Sequence, residues 1–479
     1  MNRFFRNLTV LALASSLSLT PFAPTATWVS DNDEAVTSHD ITLDAYLLEN
    51  YGSTFLENYH DSLDMIATFY DELPSDITDE VIYPEYFGGL YINDEGELVI
   101  LKLEDEISND QTSISNFEDA VIESVEFSYQ ELVETMDFLN AIANGSEQFD
   151  TLISLTNTWS LDVINNQVLV SLIDYNPEEV ARFQQEILDS PVIVFEQTSL
   201  ADHEYSSEAF EQQWIFPVNV PNPPTSPRPA SAGTAIRTGD RIFSYRTGVG
   251  YLGGLSAGYR ALGPNGEMGF VTAAHVPGGA QIGDIITNYN GTRLGVVQRA
   301  QLPGIDAAFV VLDPGVSITS RTNLAAGGNY NGVVGQRVRT YGATSGAPRV
   351  GTILTSHMSA IMSGGGNGLV VITDAIRATG LGLAGDSGAV VYTIDAAGHV
   401  TGTAGIHLGI TIYSFISRAD SINSAFNLRL VQGGEPSPQT PGAPAPTVPG
   451  VPGVPPVPGV PGVPGVPPVP GVPGIPPLP

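Results

Sequence analysis

The spacing of apolar positions changes character twice along the chain. Over residues 61–73, Leu63, Ile66, Phe69 and Tyr70 recur at helical spacing, which puts them on one helix face. Gly88-Gly-Leu-Tyr-Ile-Asn and Glu97-Leu-Val-Ile-Leu-Lys-Leu then flank Asp94-Glu95-Gly96, a hairpin signal. Residues 117–142 predict one long amphipathic helix. Trp159-Ser-Leu-Asp-Val and Gln167-Val-Leu-Val-Ser-Leu flank Asn165-Asn166 and predict a second hairpin. Asn176-Pro177-Glu178-Glu179 predicts a helix start, with Asn as cap, Pro in the first turn and acids at the positive end. Pro191-Val-Ile-Val-Phe closes this region as a strand. The expected architecture is α/β.

From residue 233 to 433 the pattern becomes short apolar runs between glycine turns. Strands are predicted at Met268-Gly-Phe-Val-Thr, Asp284-Ile-Ile, Leu294-Gly-Val-Val, Ala307-Ala-Phe-Val-Val-Leu and Arg349-Val-Gly-Thr-Ile-Leu. Further ones fall at Leu369-Val-Val-Ile, Gly388-Ala-Val-Val-Tyr and Tyr413-Ser-Phe-Ile. Many short strands with regular turns predict an all-β sandwich or barrel. From Gly450 the chain is ten triplets ending in proline, three of which start with proline instead of glycine, at Pro456, Pro468 and Pro477. That composition favours polyproline II and builds no packed core. The missing glycines break a collagen repeat.

Composition sharpens these divisions. The 479 residues carry a net charge of −34 and no cysteine, which excludes disulfides, thiolate nucleophiles and cysteine-bound metals. Residues 31–230 hold 42 Asp/Glu against Lys102, Arg182 and Arg228, whereas residues 231–435 hold 10 against 13 Arg. No strongly basic face is on offer, so nucleic acid is not expected as a partner. The acidic part is either an electrostatic partner of the mildly basic part or an aid to solubility. Arg3 and Arg6, the apolar run from Leu8 to Leu19 and Ala23-Pro24-Thr25-Ala26 read as a signal peptide over 1–26. The expected division is therefore a signal peptide (1–26), an acidic region (27–217), a Pro-rich linker (218–232), a β domain (233–433) and a Pro/Gly/Val-rich tail (434–479). The linker is extended and open to a processing protease. The expected location is outside the cell, with no membrane contact after leader removal. The tail is either a passive stalk or a contact with wall, mucus or another surface.

Chemistry concentrates in the β domain. Ser387 sits in Gly385-Asp386-Ser387-Gly388, a tight turn ahead of an apolar strand. His275 follows the apolar run Gly269-Phe-Val-Thr-Ala-Ala, and Asp306 precedes Ala307-Ala-Phe-Val-Val-Leu. A carboxylate in such surroundings needs hydrogen-bonded company, and an imidazole N–H supplies it. His275 would then accept a proton from Ser387. His39, His60 and His203 are isolated surface residues on this reading, and His357 and His399 are loop residues. No metal cluster or cofactor motif is visible, although calcium in an acidic loop stays open.

Thr-Ala-Ala-His, an Asp before a strand and Gly-Asp-Ser-Gly stand in that order, 31 and 81 residues apart. The set resembles the chymotrypsin-fold serine proteases, and most closely their secreted bacterial members of the alpha-lytic protease and streptogrisin type. The resemblance covers residues 233–433, and the acidic region is similar in pattern to the folding-assisting pro-region of those enzymes. It implies a double β-barrel, with Ser387 as nucleophile, His275 as general base and acid, Asp306 as orienting carboxylate, and the N–H groups of Gly385 and Ser387 as oxyanion hole. The implied partners are protein and peptide substrates and the chain's own pro-region. Ala389 and Ala343 depart from the family pattern. Ala343 replaces an arginine often offered to the Asp before the nucleophile, leaving Arg339 and Arg349 as the cations expected beside Asp386. Leu381 falls at the base of the implied specificity pocket, with Gly405-Ile406-His407-Leu408-Gly409 as its wall. That wall resembles the Gly-Ile-His-Trp-Gly of glutamyl endopeptidases, so cleavage after glutamate and cleavage after apolar residues both stand. The competing class is an inactive protease fold serving as a surface binding head on a polyproline stalk.

Overall fold

A computed structural model describes Leu48 and Phe117 together with residues 51–73, 83–104, 119–197, 226–231, 233–276, 278–321, 332–363, 369–383, 385–395, 398–410 and 413–431. The expected signal peptide, the tail, the first part of the linker, His39 and His203 lie outside these residues. The described chain is mostly β, with few helices.

The acidic region begins with helix α1 (Ser53–Glu72), then strands β1 (Phe87–Ile92), β2 (Leu98–Leu103) and β3 (Val121–Val125). Helices α2 (Tyr129–Ala143) and α3 (Phe149–Leu155), strands β4 (Thr156–Asp162) and β5 (Gln167–Leu172), helix α4 (Pro177–Glu186) and strand β6 (Ile193–Gln197) follow. Both expected hairpins form, with β1 on β2 and β4 on β5, each antiparallel. Asn176 caps α4 by accepting from Glu179 N. The single helix expected over 117–142 is instead a strand and a shorter helix. Val121, Ile122 and Val125 suit a strand, and β3 pairs in parallel with β2. Ser128 and Glu131 then form a capping box that fixes the start of α2.

The β domain holds β7 (Thr234–Arg237), β8 (Arg241–Arg246), β9 (Gly250–Ser256), β10 (Arg260–Leu262), β11 (Met268–Thr272), β12 (Ile285–Asn288), β13 (Arg293–Gln301), β14 (Ala307–Leu312) and β15 (Val316–Thr319). It continues with β16 (Arg337–Tyr341), β17 (Pro348–Ser363), β18 (Leu369–Thr379), β19 (Val390–Ile394), β20 (Val400–Ile410), β21 (Tyr413–Arg418), helix α5 (Ala419–Phe426) and β22 (Arg429–Leu430). Strands β8 to β14 form, with the late strand β22, an eight-stranded sheet in the order β22-β10-β11-β14-β13-β12-β8-β9, while β7 and β15 pair with each other. The second sheet has the order β16-β19-β20-β21-β18-β17, which runs on through β4-β5-β6 of the acidic region to make nine strands. The junction is antiparallel, with Met358 opposite Ser160, Ser359 opposite Trp159 and Ala360 opposite Thr158.

The two regions therefore share backbone hydrogen bonds, and side chains reinforce the seam. Trp159 is fully buried and its Nε1 donates to Asn140 Oδ1 at 2.8 Å. Ser359 Oγ donates to the same oxygen at 2.6 Å. A second contact lies at α1 and β1. Arg337 N donates to Tyr59 Oη at 2.8 Å, and Ile92 N donates to Val334 O at 2.9 Å. At the other end of the linker, Arg228 is pinned to the body. Its N–H donates to Gly291 O, and its carbonyl accepts from Arg293 N, both at 2.8 Å.

Candidate active site

Register places the first two candidate residues together. β11 and β14 pair antiparallel, with Thr272 opposite Ala308. Extending that register by two residues sets Ala274 opposite Asp306. Ala273 and Ala274 are fully buried, and their small side chains let the chain turn into the site. Asp306 Oδ1 accepts from Ala274 N at 2.8 Å and from His275 N at 2.9 Å. Its Oδ2 meets His275 Nδ1. Asp306 is 3% exposed and His275 4%. A buried carboxylate so supplied with donors costs little to keep charged, and it leaves His275 Nδ1 as the protonated ring nitrogen.

The Ser387 turn comes from the second sheet. Its turn has Gly385 at φ 92° and Gly388 at φ 84°, a conformation glycine adopts without the cost a Cβ brings. Behind it the chain enters β19 through the fully buried Ala389 and Val390. Gly388 N donates to His407 O at 2.7 Å, and His407 N to Ala389 O at 2.8 Å. On its other side the turn presses on the strand end that carries His275. A Cβ on Gly388 would stand 2.3 Å from Thr272 Oγ1 and 2.9 Å from Ala273 N. Ser256 N donates to Ser387 O at 2.7 Å. The Ser387 hydroxyl donates to Leu408 O at 3.0 Å.

Asp386, inside this turn, is fully buried. Its Oδ1 accepts from Thr344 N at 2.6 Å and Ser345 N at 3.1 Å. Its Oδ2 accepts from Leu383 N at 2.8 Å and from the Ser345 hydroxyl. Main-chain amides and a hydroxyl thus satisfy it, and neither Arg339 nor Arg349 is among these partners. The charged neighbour is Arg241. Burial lowers its guanidinium from the ordinary value, while the field of Asp386 acts the other way. Sequence reasoning missed Arg241 and Ser256, because they carry no motif and meet the turn only through packing of the two sheets.

Gly342 is the cradle for Asp386. A Cβ there would lie 2.1 Å from Asp386 Cγ. Gly342→Ala should therefore force the 342–345 loop off the carboxylate and cost on the order of 3 kcal/mol, as overpacking of a tight core does. Urea unfolding of the two proteins in a Ser387→Ala background checks this.

The expected pocket residues separate. The side chain of Leu381, expected at the pocket base, lies in a core cluster with Val338, Ile353, Ile376, Ala378, Val391, Ala404 and Ile416. An apolar side chain inside the sheet gains more from packing than from lining a cleft. Its N–H donates to Ser414 Oγ at 2.8 Å. Gly382, one residue on, lies against the His407 ring, since a Cβ there would stand 2.5 Å from Cε1 and Nε2. Leu408 is buried and Gly409 follows a bulge between β20 and β21.

His407 is 0% exposed, and neither of its ring nitrogens has a hydrogen-bond partner. Burial pulls it down to about 4, with Asp386 opposing and His275 adding to the fall. At neutral pH it is an uncharged imidazole. In the unfolded chain it takes up a proton near pH 6.5, so the unfolded state binds more protons between that pH and about 4. The part of the stability that depends on this ring should be at its full value above pH 6.5 and fall by about 3 kcal/mol on the way to pH 4. His407→Leu should remove that part of the slope, as read from unfolding free energies across this range.

Comparison with known proteins bears on the acidic region first. Residues 49–126 match the family model of the Pro-like N-terminal domain. Residues 130–198 match that of the Pro-like C-terminal domain. The two matched stretches meet between β3 and α2, where the structure places a strand and a new helix start. The residues similar to the C-terminal Pro-like domain supply β4, and so the strand that extends the second sheet. Those similar to the N-terminal Pro-like domain supply Tyr59 and Ile92.

Solved structures similar to this chain include Nocardiopsis protease, at 25% identity and TM-score 0.32, covering 41% of this chain and 99% of that one. Thermobifida fusca protease A is similar at 23% identity and TM-score 0.33, covering 42% of this chain and all of that one. A glutamic acid-specific serine protease described as using a histidine triad in substrate binding is similar at 19% identity and TM-score 0.32, covering 41% and 100%. No curated protein sequence matches the chain. No helix among the described residues is long and apolar enough to cross a membrane.

Proposed function

We propose that this chain is the precursor of a secreted serine endopeptidase of the double β-barrel type, made with a removable pro-region over 27–217. The observation that carries the reading is the buried Asp306 carboxylate, which holds both the main chain and the ring of His275 beside the Ser387 turn. In the reaction Ser387 Oγ exchanges the Leu408 carbonyl for His275 Nε2 and gives its proton to that nitrogen as Oγ attacks the scissile carbonyl carbon. Asp306 stabilises the imidazolium. The N–H groups of Gly385 and Ser387 receive the oxyanion, and their worth lies in being aimed before charge develops. The C–N bond then breaks, the departing amine takes the proton from His275, and water hydrolyses the acyl-enzyme by the same steps in reverse roles.

For specificity, we infer cleavage after glutamate, with His407 as the group that meets the substrate carboxylate and Leu408 and Gly409 in the wall. The unpaired ring supports this, since a buried polar group without a partner costs about 1–3 kcal/mol and a carboxylate relieves it. Peptides varying only in P1 test the inference. Preference for Glu is expected, and equal turnover of Leu with poor turnover of Glu would sink it. The Ser387–Leu408 hydrogen bond favours the second reading, an inactive protease-fold binding head, because it turns the hydroxyl to the main chain. Expression of the wild type beside Ser387→Ala separates the two. A self-processing protease loses its pro-region only in the wild type, and identical processing of both would remove self-cleavage.

A further inference from the structure

We propose that Arg241 is a positioning residue that braces the 385–387 turn from the first sheet, an inference that rests on the serine-protease reading above. Arg241 begins β8, in the eight-stranded sheet, whereas the turn belongs to the nine-stranded one. Arg241 Nη2 donates to Thr344 Oγ1 at 2.7 Å. Thr344 N in turn donates to Asp386 Oδ1 at 2.6 Å. The same threonine hydroxyl is 2.6 Å from where a Cβ on Gly385 would stand, and Arg241 Nη1 is 3.7 Å from that point. Guanidinium, hydroxyl and Gly385 backbone are thus one contiguous stack.

The opposite side of the turn is gripped by the cross-strand neighbour of Arg241. β8 and β9 pair with Arg241 opposite Ser256. Ser256 N donates to Ser387 O at 2.7 Å, and Ala343 N donates to Ser256 Oγ at 3.1 Å. Two paired residues of the first sheet, Arg241 through its side chain and Ser256 through its main-chain N–H, therefore hold both ends of the segment that presents the oxyanion donors. Asp386 has its hydrogen bonds from neutral donors, and a nearby cation adds to them. All of its direct partners are uncharged, Ala343 brings no charge, and a carboxylate in a low-dielectric site gains much from a cation nearby. Arginine suits the task because its fork stays charged and keeps its geometry when partly buried.

The brace acts on the geometry of the transition state, not on substrate binding. Losing it lets the turn drift, and a shift of about 1 Å in a reacting group costs on the order of 100-fold in rate. The test uses the full chain as recovered from expression, a fluorophosphonate probe and a p-nitrophenyl ester. Arg241→Met should slow fluorophosphonate labelling on the order of 100-fold and lower kcat for the ester alike, with KM unchanged. Arg241→Lys should recover part of the rate, and Thr344→Val, which keeps the guanidinium but breaks the relay, should lose part of it. If Arg241→Met and Thr344→Val both label at the wild-type rate, or if the loss is in KM alone, the brace is refuted while the protease reading stands. A folded wild type that does not label at all removes the protease reading and this inference with it.

Discussion

Ser387→Ala and His275→Ala are each expected to lower kcat on the order of 10⁶-fold, and the double variant little further, because nucleophile and base act as one unit. The geometry explains why neither is replaceable. Ser387 is presented by a turn with two left-handed glycines, wedged against Thr272 and Ala273, so no neighbouring hydroxyl can take its place. Asp306 holds His275 at its main-chain N–H and its ring, and also holds the preceding Ala274 N–H. Burst kinetics with a chromogenic ester read the effect. Folding should survive Ser387→Ala, because its side chain makes one bond to a main-chain carbonyl, worth about 1 kcal/mol.

The second large effect is at Asp306. All of its contacts are with donors, namely two main-chain N–H groups at 2.8 and 2.9 Å and the His275 ring. In Asp306→Asn the amide oxygen would stay with the two main-chain groups, and the NH₂ would face His275 Nδ1. Two donors cannot face each other, so the ring must place its proton on Nε2. That tautomer cannot accept a proton from Ser387. The expected cost is on the order of 10⁴-fold in kcat, with binding and fold retained. A loss of folded protein instead would mean that Asp306 serves the structure first.

Much of this was readable from the chain because the relevant signals are local. Glycine spacing around Ser387, the apolar runs beside His275 and Asp306, and the hairpins at Asp94-Glu95-Gly96 and Asn165-Asn166 each depend on neighbours in sequence. The boundary inside 117–142 was hidden because Val121, Ile122 and Val125 fit a helix period as well as a strand. Pairing with β2 decided it. The packing of the Leu381 side chain in the core was hidden for a related reason, since its cluster partners come from distant strands. The partners of Asp386 were illegible because Thr344, Ser345 and Arg241 reach it only once both sheets have docked. His407 shows the converse case. Its motif drew attention in sequence, yet its unpaired ring nitrogens emerged only from burial.

The most direct test of the central claim is a site-mapped covalent label. The processed chain is treated with a fluorophosphonate, digested, and the adduct located by mass spectrometry. One adduct is expected, on Ser387, lost in His275→Ala and strongly slowed in Asp306→Asn. A folded, processed chain that stays unlabelled at Ser387, or that labels equally well without His275, would contradict it.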